Sequence, residues 1–257
     1  MSASPAHRAL TMVELMVVLA ALALLLGLLL PTLSIVTAAG RSTQCRSNLR
    51  QMAIAGQAYS MLYNVAPPAL RYEQRDGQLI VISWDTIQPF GGGEVTPGPL
   101  WDFMDTPTEV SQCPEFFGES TFFDDPFTGY NYNITFIGAE GTWATPEWED
   151  IRWGVPLGQH RRTVQTAMFG DGGRAGGTNK FMRAPMNSEG YALDVIYAGG
   201  QAFRHQRSTN VAYLDGHVDS VGKPYAGALA TESLLEDAMG YPENGFLSDD
   251  DSAYDPR

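Results

Sequence analysis

Residues 10–30 read LTMVELMVVLAALALLLGLLL, broken by a single formal charge at Glu14. A run of about 21 residues at 1.5 Å rise covers roughly the 30 Å hydrocarbon core of a bilayer, so it predicts a transmembrane helix. The pattern then changes period. From Arg41 onward, apolar or small side chains recur at Cys45, Leu49, Met52, Gly56, Tyr59 and Leu62 or Tyr63. Those steps of three and four define one face of a helix, and Arg46, Arg50 and Gln57 fall largely elsewhere on it. Residues 10–63 as one helix reach about 80 Å, with Pro31 as a kink and Gly40 as a looser point. Asn64 and Pro67-Pro68 end it.

Beyond residue 63 the period shortens and turn residues multiply. Residues 79–84 (LIVISW) predict a strand after the Asp76-Gly77 turn, and residues 130–137 (YNYNITFI) a second. Residues 163–169 (TVQTAMF) predict a third, ahead of a flexible glycine turn at residues 170–177 (GDGGRAGG). Residues 100–104 predict one helical turn with Trp101 and Met104 inward. Asp215-Gly216, flanked by the segments 210–214 and 217–221, is the strongest hairpin signal. Residues 226–239 predict a short helix stopped by Gly240 and Pro242, and the ending SDDDSAYDPR a solvated, frayed tail. The expected fold is α+β: a long N-terminal helix, its first half transmembrane, packed on an antiparallel β-rich head. The divisions are 1–9 leader, 10–30 transmembrane, 31–63 amphipathic stem, 64–245 head and 246–257 acidic tail.

Charge supports two environments. The chain of 257 residues has 16 basic against 29 acidic side chains, a formal charge of -13, which argues against nucleic acid as a partner. Residues 1–63 nevertheless carry Arg8, Arg41, Arg46 and Arg50 against Glu14 alone, so the surplus acid lies in the head. Arg8 before the apolar run places the N-terminus in the cytoplasm and the head outside. An ordinary signal peptide, cut after Val36-Thr37-Ala38, is the rival reading, although the apolar run exceeds the usual 7–15 residues.

Glu14 is the most informative position. An acid near the entry of a membrane helix costs up to ~3 kcal/mol and ordinarily has a partner, yet no Lys, Arg or His follows for 26 residues. A second chain, or an amine created by processing, is the expected counter-charge. The pattern resembles the type III signal of bacterial prepilins and pseudopilins, with Ala9 at -1, Leu10 at +1, Thr11 at +2, Glu14 at +5 and Pro31 at +22. The family more often has Gly at -1 and Phe at +1. The resemblance implies cleavage between Ala9 and Leu10 by prepilin peptidase in the inner membrane, followed by methylation of the Leu10 amine. It further implies assembly with other pilin or pseudopilin subunits, with Thr11 and Glu14 at the assembly position and Glu14 facing a neighbour's amine.

A second resemblance covers the head. FRHQRSTNVAYLDGHVDSV places nine residues between His205 and Asp215-Gly216. It is similar to the H-X9-DG signature at the C-terminus of a group of prepilin-type, pseudopilin-G-like proteins. CRSNLRQMAIAGQAY (45–59), PLWDFM and VSQCPEFF (99–117), GYNYN (129–133) and AMFGDGG (167–173) resemble successive landmarks of that group. The architecture implied is an exported pilin-like protein.

Several residues invite chemistry beyond this. His205, Asp215, His217 and Asp171 are candidate metal ligands converging on the hairpin, set against a purely structural role for a tight Asp-Gly turn. Major pseudopilins resembling this chain order a C-terminal loop with Ca²⁺; the candidate oxygen donors are Asp124, Asp125, Asp194, Asp219 and residues 249–251. Cys45 and Cys113 are the only cysteines. They make either a disulfide, closing a loop of nearly 70 residues for about 4 kcal/mol, or two buried thiols. There is no GxSxG elbow, Walker A or dinucleotide fingerprint, so catalysis is not expected. Trp143, Trp148 and Trp153 suggest a sugar-stacking surface or loop packing. The rival to an assembling subunit is a membrane-anchored or secreted binding module that never polymerises, carbohydrate being its suggested ligand.

Overall fold

The computed structural model describes residues 11–105, 110, 112–120, 129–138, 154–186 and 199–257. Helix α1 runs Met12–Tyr63 without interruption at Pro31. The chain divides into two units, Met1–Gly40 and Arg41–Arg257. In the first, the helix is exposed along its whole apolar length and is long and apolar enough to cross a membrane. In the second, the expected face is buried: Cys45, Leu49, Met52, Gly56 and Tyr59, joined by Asn48, Ala53, Ala55 and Ser60. The stripe ends one turn earlier than expected, since Leu62 and Tyr63 are more than half exposed.

Thirteen strands follow in the described residues. β1 (Leu70–Arg75), β2 (Gln78–Ser83), β3 (Thr86–Pro89) and β4 (Thr96–Pro97) make an antiparallel meander. The expected Asp76-Gly77 turn joins the first two, with φ positive at both residues. The 3₁₀ turn Trp101–Phe103 then puts the Trp101 ring into the core. β5 (Glu119–Ser120) pairs in parallel with β8 (Gly177–Thr178). The larger sheet is built around β7 (Ala167–Gly173), which pairs antiparallel with β6 (Tyr130–Asn133), β10 (Gly200–Ala202) and β11 (Thr209–Tyr213). β12 (Val218–Val221), β13 (Asn244–Gly245) and β9 (Phe181–Met182) extend it through β11, β10 and β6.

Five expectations are corrected here. The strand expected over 130–137 ends at Asn133, whose Oδ1 accepts from the Phe136 amide as residues 134–137 turn. The strand expected over 163–169 begins only at Ala167. The backbone turns first, with Thr166 bonding back to the Arg162 carbonyl. Gly170-Asp171-Gly172-Gly173 is not a flexible turn but the buried centre of the sheet. A Cβ on Gly172 would sit 2.6 Å from the Asn179 carbonyl oxygen, and one on Gly173 2.7 Å from the Ala202 nitrogen. Glycine is there because neighbouring backbone comes too close for a side chain, and only residues 174–177 turn. The helix expected over 226–239 is confined to its second half, ending in the π-helical Leu234–Met239 with left-handed Gly240 as its stop.

The acidic tail is not frayed. Tyr254 is fully buried, its hydroxyl accepting from the Leu247 amide at 2.8 Å and its carbonyl from Asn133 Nδ2 at 2.9 Å. The Pro256 carbonyl accepts from the amides of Arg161 and Arg162. Tyr254 belongs with Ala167, Met182, Val211, Met239, Phe246 and Leu247 to a second core. The main core packs the helix stripe against Trp84, Tyr132 and Phe169, whose rings lie 4.8–6.1 Å apart.

Candidate functional site

Four segments remote in sequence meet where α1 crosses the larger sheet. The apolar face of α1 supplies Cys45, and the turn closed by the Cys113 carbonyl and the Phe116 amide supplies Cys113. The centre of β7 supplies Asp171, and the connection from β10 to β11 supplies His205. The Sγ atoms, imidazole and carboxylate all lie within 4.8 Å of one another, and all four residues are buried. Among the described residues no other group of three or more such side chains is so placed.

Asp171 is held both from outside the group and from within it. Asp171 Oδ2 accepts from the Asn210 amide at 2.8 Å and from His205 Nε2 at 3.1 Å, while Oδ1 accepts from Cys45 Sγ at 3.0 Å. Cys113 Sγ lies 3.5 Å from His205 Nε2. Asn48, on the turn of α1 after Cys45, donates to the Tyr130 hydroxyl at 3.2 Å and the Gln112 carbonyl at 3.5 Å. Gly129 lets the Cys113 segment approach, since a Cβ there would lie 2.8 Å from that of Cys113. Arg204 donates to the Gly129 and Gly172 carbonyls and lies over the Phe116 ring.

His205 is aimed by a tight turn. Its amide and carbonyl exchange 3.0 Å hydrogen bonds with Ser208, and Gln206 and Arg207 between them take φ of 53° and 66°. Left-handed backbone without glycine costs on the order of 1 kcal/mol or more per residue. Such a turn is ordinarily signalled by Asn-Gly or Asp-Gly, so Gln-Arg concealed it in the sequence.

The electrostatics are coupled. The Cys45 hydrogen bond, against burial and with help from His205, pulls the Cys113 thiol down to about 6. Burial and the neighbouring sulfur and carboxylate push Cys45 well up. Burial alone would raise Asp171, but the His205 hydrogen bond and the Arg204 charge hold it below the ordinary value. Burial likewise lowers His205, yet Asp171 and Cys113 outweigh it and hold the imidazole up to about 9. The set therefore favours a Cys113 thiolate, an imidazolium and a carboxylate beside the Cys45 thiol. Its donors suit a disulfide or a borderline-soft divalent cation. As a nucleophile it is poorly placed, because neither sulfur is reached from solvent.

The expected four-ligand group of His205, Asp215, His217 and Asp171 is thus divided. Asp171 and His205 join the cysteines. Asp215 and His217 pair with each other at 2.5 Å in the hairpin loop, where His217 stacks on Tyr213 and is partly exposed. Gly216 takes the positive φ that the loop requires. Cys45 and Cys113 are adjacent, both as free thiols. The tail acids serve local structure: Asp250 caps the 3₁₀ turn Asp251–Ala253, and Asp251 accepts from the Met186 amide. Asp219 accepts from the Ser220 amide, and Asp249 is exposed. Ala9, Leu10, Asp124, Asp125, Asp194, Trp143, Trp148 and Trp153 lie outside the described residues.

At the other end, Thr11 and Glu14 form a reciprocal cap. Thr11 donates from its amide at 2.8 Å and its hydroxyl at 2.9 Å to Glu14 Oε2, and the Glu14 amide donates to Thr11 Oγ1 at 3.2 Å. This is a capping box, T-x-x-E, so Glu14 has a hydrogen-bonding partner within its own chain as well as a charge unmatched among the described residues. No protein-family model matches the chain, and no curated protein or solved structure shows significant similarity to it.

Proposed function

We propose that the chain is a pilin-like structural subunit, processed at its N-terminus by prepilin peptidase and assembled through α1 into a type IV pilus or a type II secretion pseudopilus. One observation carries this reading: α1 is a single helix whose first half is apolar and exposed with one acid at its start, and whose second half is core of a β-rich head. An exposed apolar helix of that length needs either lipid or copies of itself to cover it. In an assembly, the Glu14 carboxylate meets the Leu10 amine of a neighbouring subunit, and a low-dielectric setting favours that pairing over other registers.

The capping box favours the rival, a membrane-anchored module that does not polymerise, because it satisfies Glu14 locally. The two readings separate on charge. Gln at the third helical position preserves the cap but not the charge, whereas Ala removes both. If Glu14 pairs with an amine, Glu14→Gln and Glu14→Ala both abolish incorporation into filaments while leaving membrane insertion intact. Assembly by Glu14→Gln at the wild-type level would reduce Glu14 to a cap. N-terminal sequencing of the mature chain adds a second readout. Methyl-Leu10 is expected, and a start near Ala39 would establish a secreted head instead.

A further inference from the structure

We propose that Cys45, Cys113, Asp171 and His205 form a tetrahedral site for a divalent transition-metal ion of the zinc class, which staples the helical stem to the centre of the head sheet. This stands apart from the assembly reading, since it concerns only the folded head.

The donor set is the first argument. Two sulfurs, one imidazole and one carboxylate are the ligand types that Zn²⁺ takes in closed four-coordinate sites, and they disfavour Ca²⁺ or Mg²⁺, which demand oxygen. Geometry is the second. Metal–ligand bonds of about 2.0–2.3 Å imply tetrahedral edges of about 3.3–3.8 Å between donors. The Cys113–His205 separation of 3.5 Å falls inside that range, while His205–Asp171 at 3.1 Å and Cys45–Asp171 at 3.0 Å fall just short. The remaining donor pairs lie within 4.8 Å, so closing on an ion requires side-chain shifts of up to about 1 Å.

Charge and support complete the case. Two thiolates and a carboxylate carry three negative charges, which a divalent ion and the adjacent Arg204 guanidinium balance. Buried anions without such compensation are costly. The Asn210 amide fixes the Asp171 carboxylate, as a ligand's outer partners do. On binding, any proton on Cys45 Sγ, Cys113 Sγ or His205 Nε2 passes to solvent as the metal–sulfur and metal–nitrogen bonds form; no electrons are exchanged. A disulfide makes no use of Asp171 or His205.

The test uses the full chain, extracted from membranes in detergent without chelator and then incubated with Zn²⁺ and dialysed. About one equivalent of zinc per chain is expected, with both thiols reacting only after denaturation in chelator. Exchange into Co²⁺ should give the intense sulfur-to-cobalt charge-transfer absorption of thiolate ligation. Cys113→Ser and His205→Ala should each lower zinc retention at least tenfold, and His217→Ala should not. Because ligand variants can fail to fold, the wild-type chain decides independently. A Cys45–Cys113 disulfide by non-reducing mass spectrometry would overturn the proposal, as would two reactive thiols and no retained zinc in folded wild-type protein.

Discussion

Lys180 and Asp85 are a charged pair with almost no exposed surface, the ammonium lying 2.9 and 3.1 Å from the two carboxylate oxygens and 3.3 Å from Thr86 Oγ1. Desolvating both ions consumes most of their attraction, so the pair adds little net stability while it is intact. Removing one member is another matter, because the other stays buried and charged. Lys180→Met should therefore destabilise the head by about 3–5 kcal/mol, and Lys180→Met with Asp85→Asn by clearly less. Denaturant titration of the two variants checks this. Equal losses would mean that Lys180 matters through its stem packing. Nothing near either residue in sequence announces the pair, since 95 positions separate them.

Whole elements were legible where one face had to be apolar. The stem stripe of Cys45, Leu49, Met52 and Tyr59 was readable because three- and four-residue steps coincide with the helical repeat. The meander was readable at Asp76-Gly77 for the same kind of local reason. β7 was readable only at residues 167–169, because beyond them a strand buried on both faces and crowded by backbone carries glycine, the residue that elsewhere marks a turn. The C-terminal segment misled through composition: SDDD suggests solvation, but the segment is clamped by Tyr254 and Pro256. Tyr254→Ala should cost about 3–5 kcal/mol, like other large-to-small changes at fully buried aromatic positions. Thermal unfolding measures it. A loss below 1 kcal/mol would restore the frayed tail.

Across the molecule, charge is partitioned as sharply as hydropathy. The first 63 residues hold 4 basic side chains and 1 acid, leaving 12 basic and 28 acidic in the remainder. Heads of like charge brought side by side repel over a Debye length of about 10 Å at 0.1 M salt. If subunits associate as proposed, raising ionic strength from about 0.01 to 0.15 M should strengthen self-association of the extracted chain, read by sedimentation. Weaker association at higher salt would place attractive charge pairs, rather than the apolar helix, at the interface.

By itself the sequence determined whatever depends on neighbours within a few residues. These are the length of the apolar helix, its buried stripe, the turn glycines and the charge split, all carried by periodicity and local backbone preference. Only the tertiary structure decided which side chains share a site. It brought Cys45 and Cys113 to Asp171 and His205, and sent Asp215 and His217 to an exposed loop. The gaps of 126 residues from Cys45 to Asp171 and 92 from Cys113 to His205 explain why. Periodicity carries no information over such distances, and what closed them was the packing of a helix face onto a sheet.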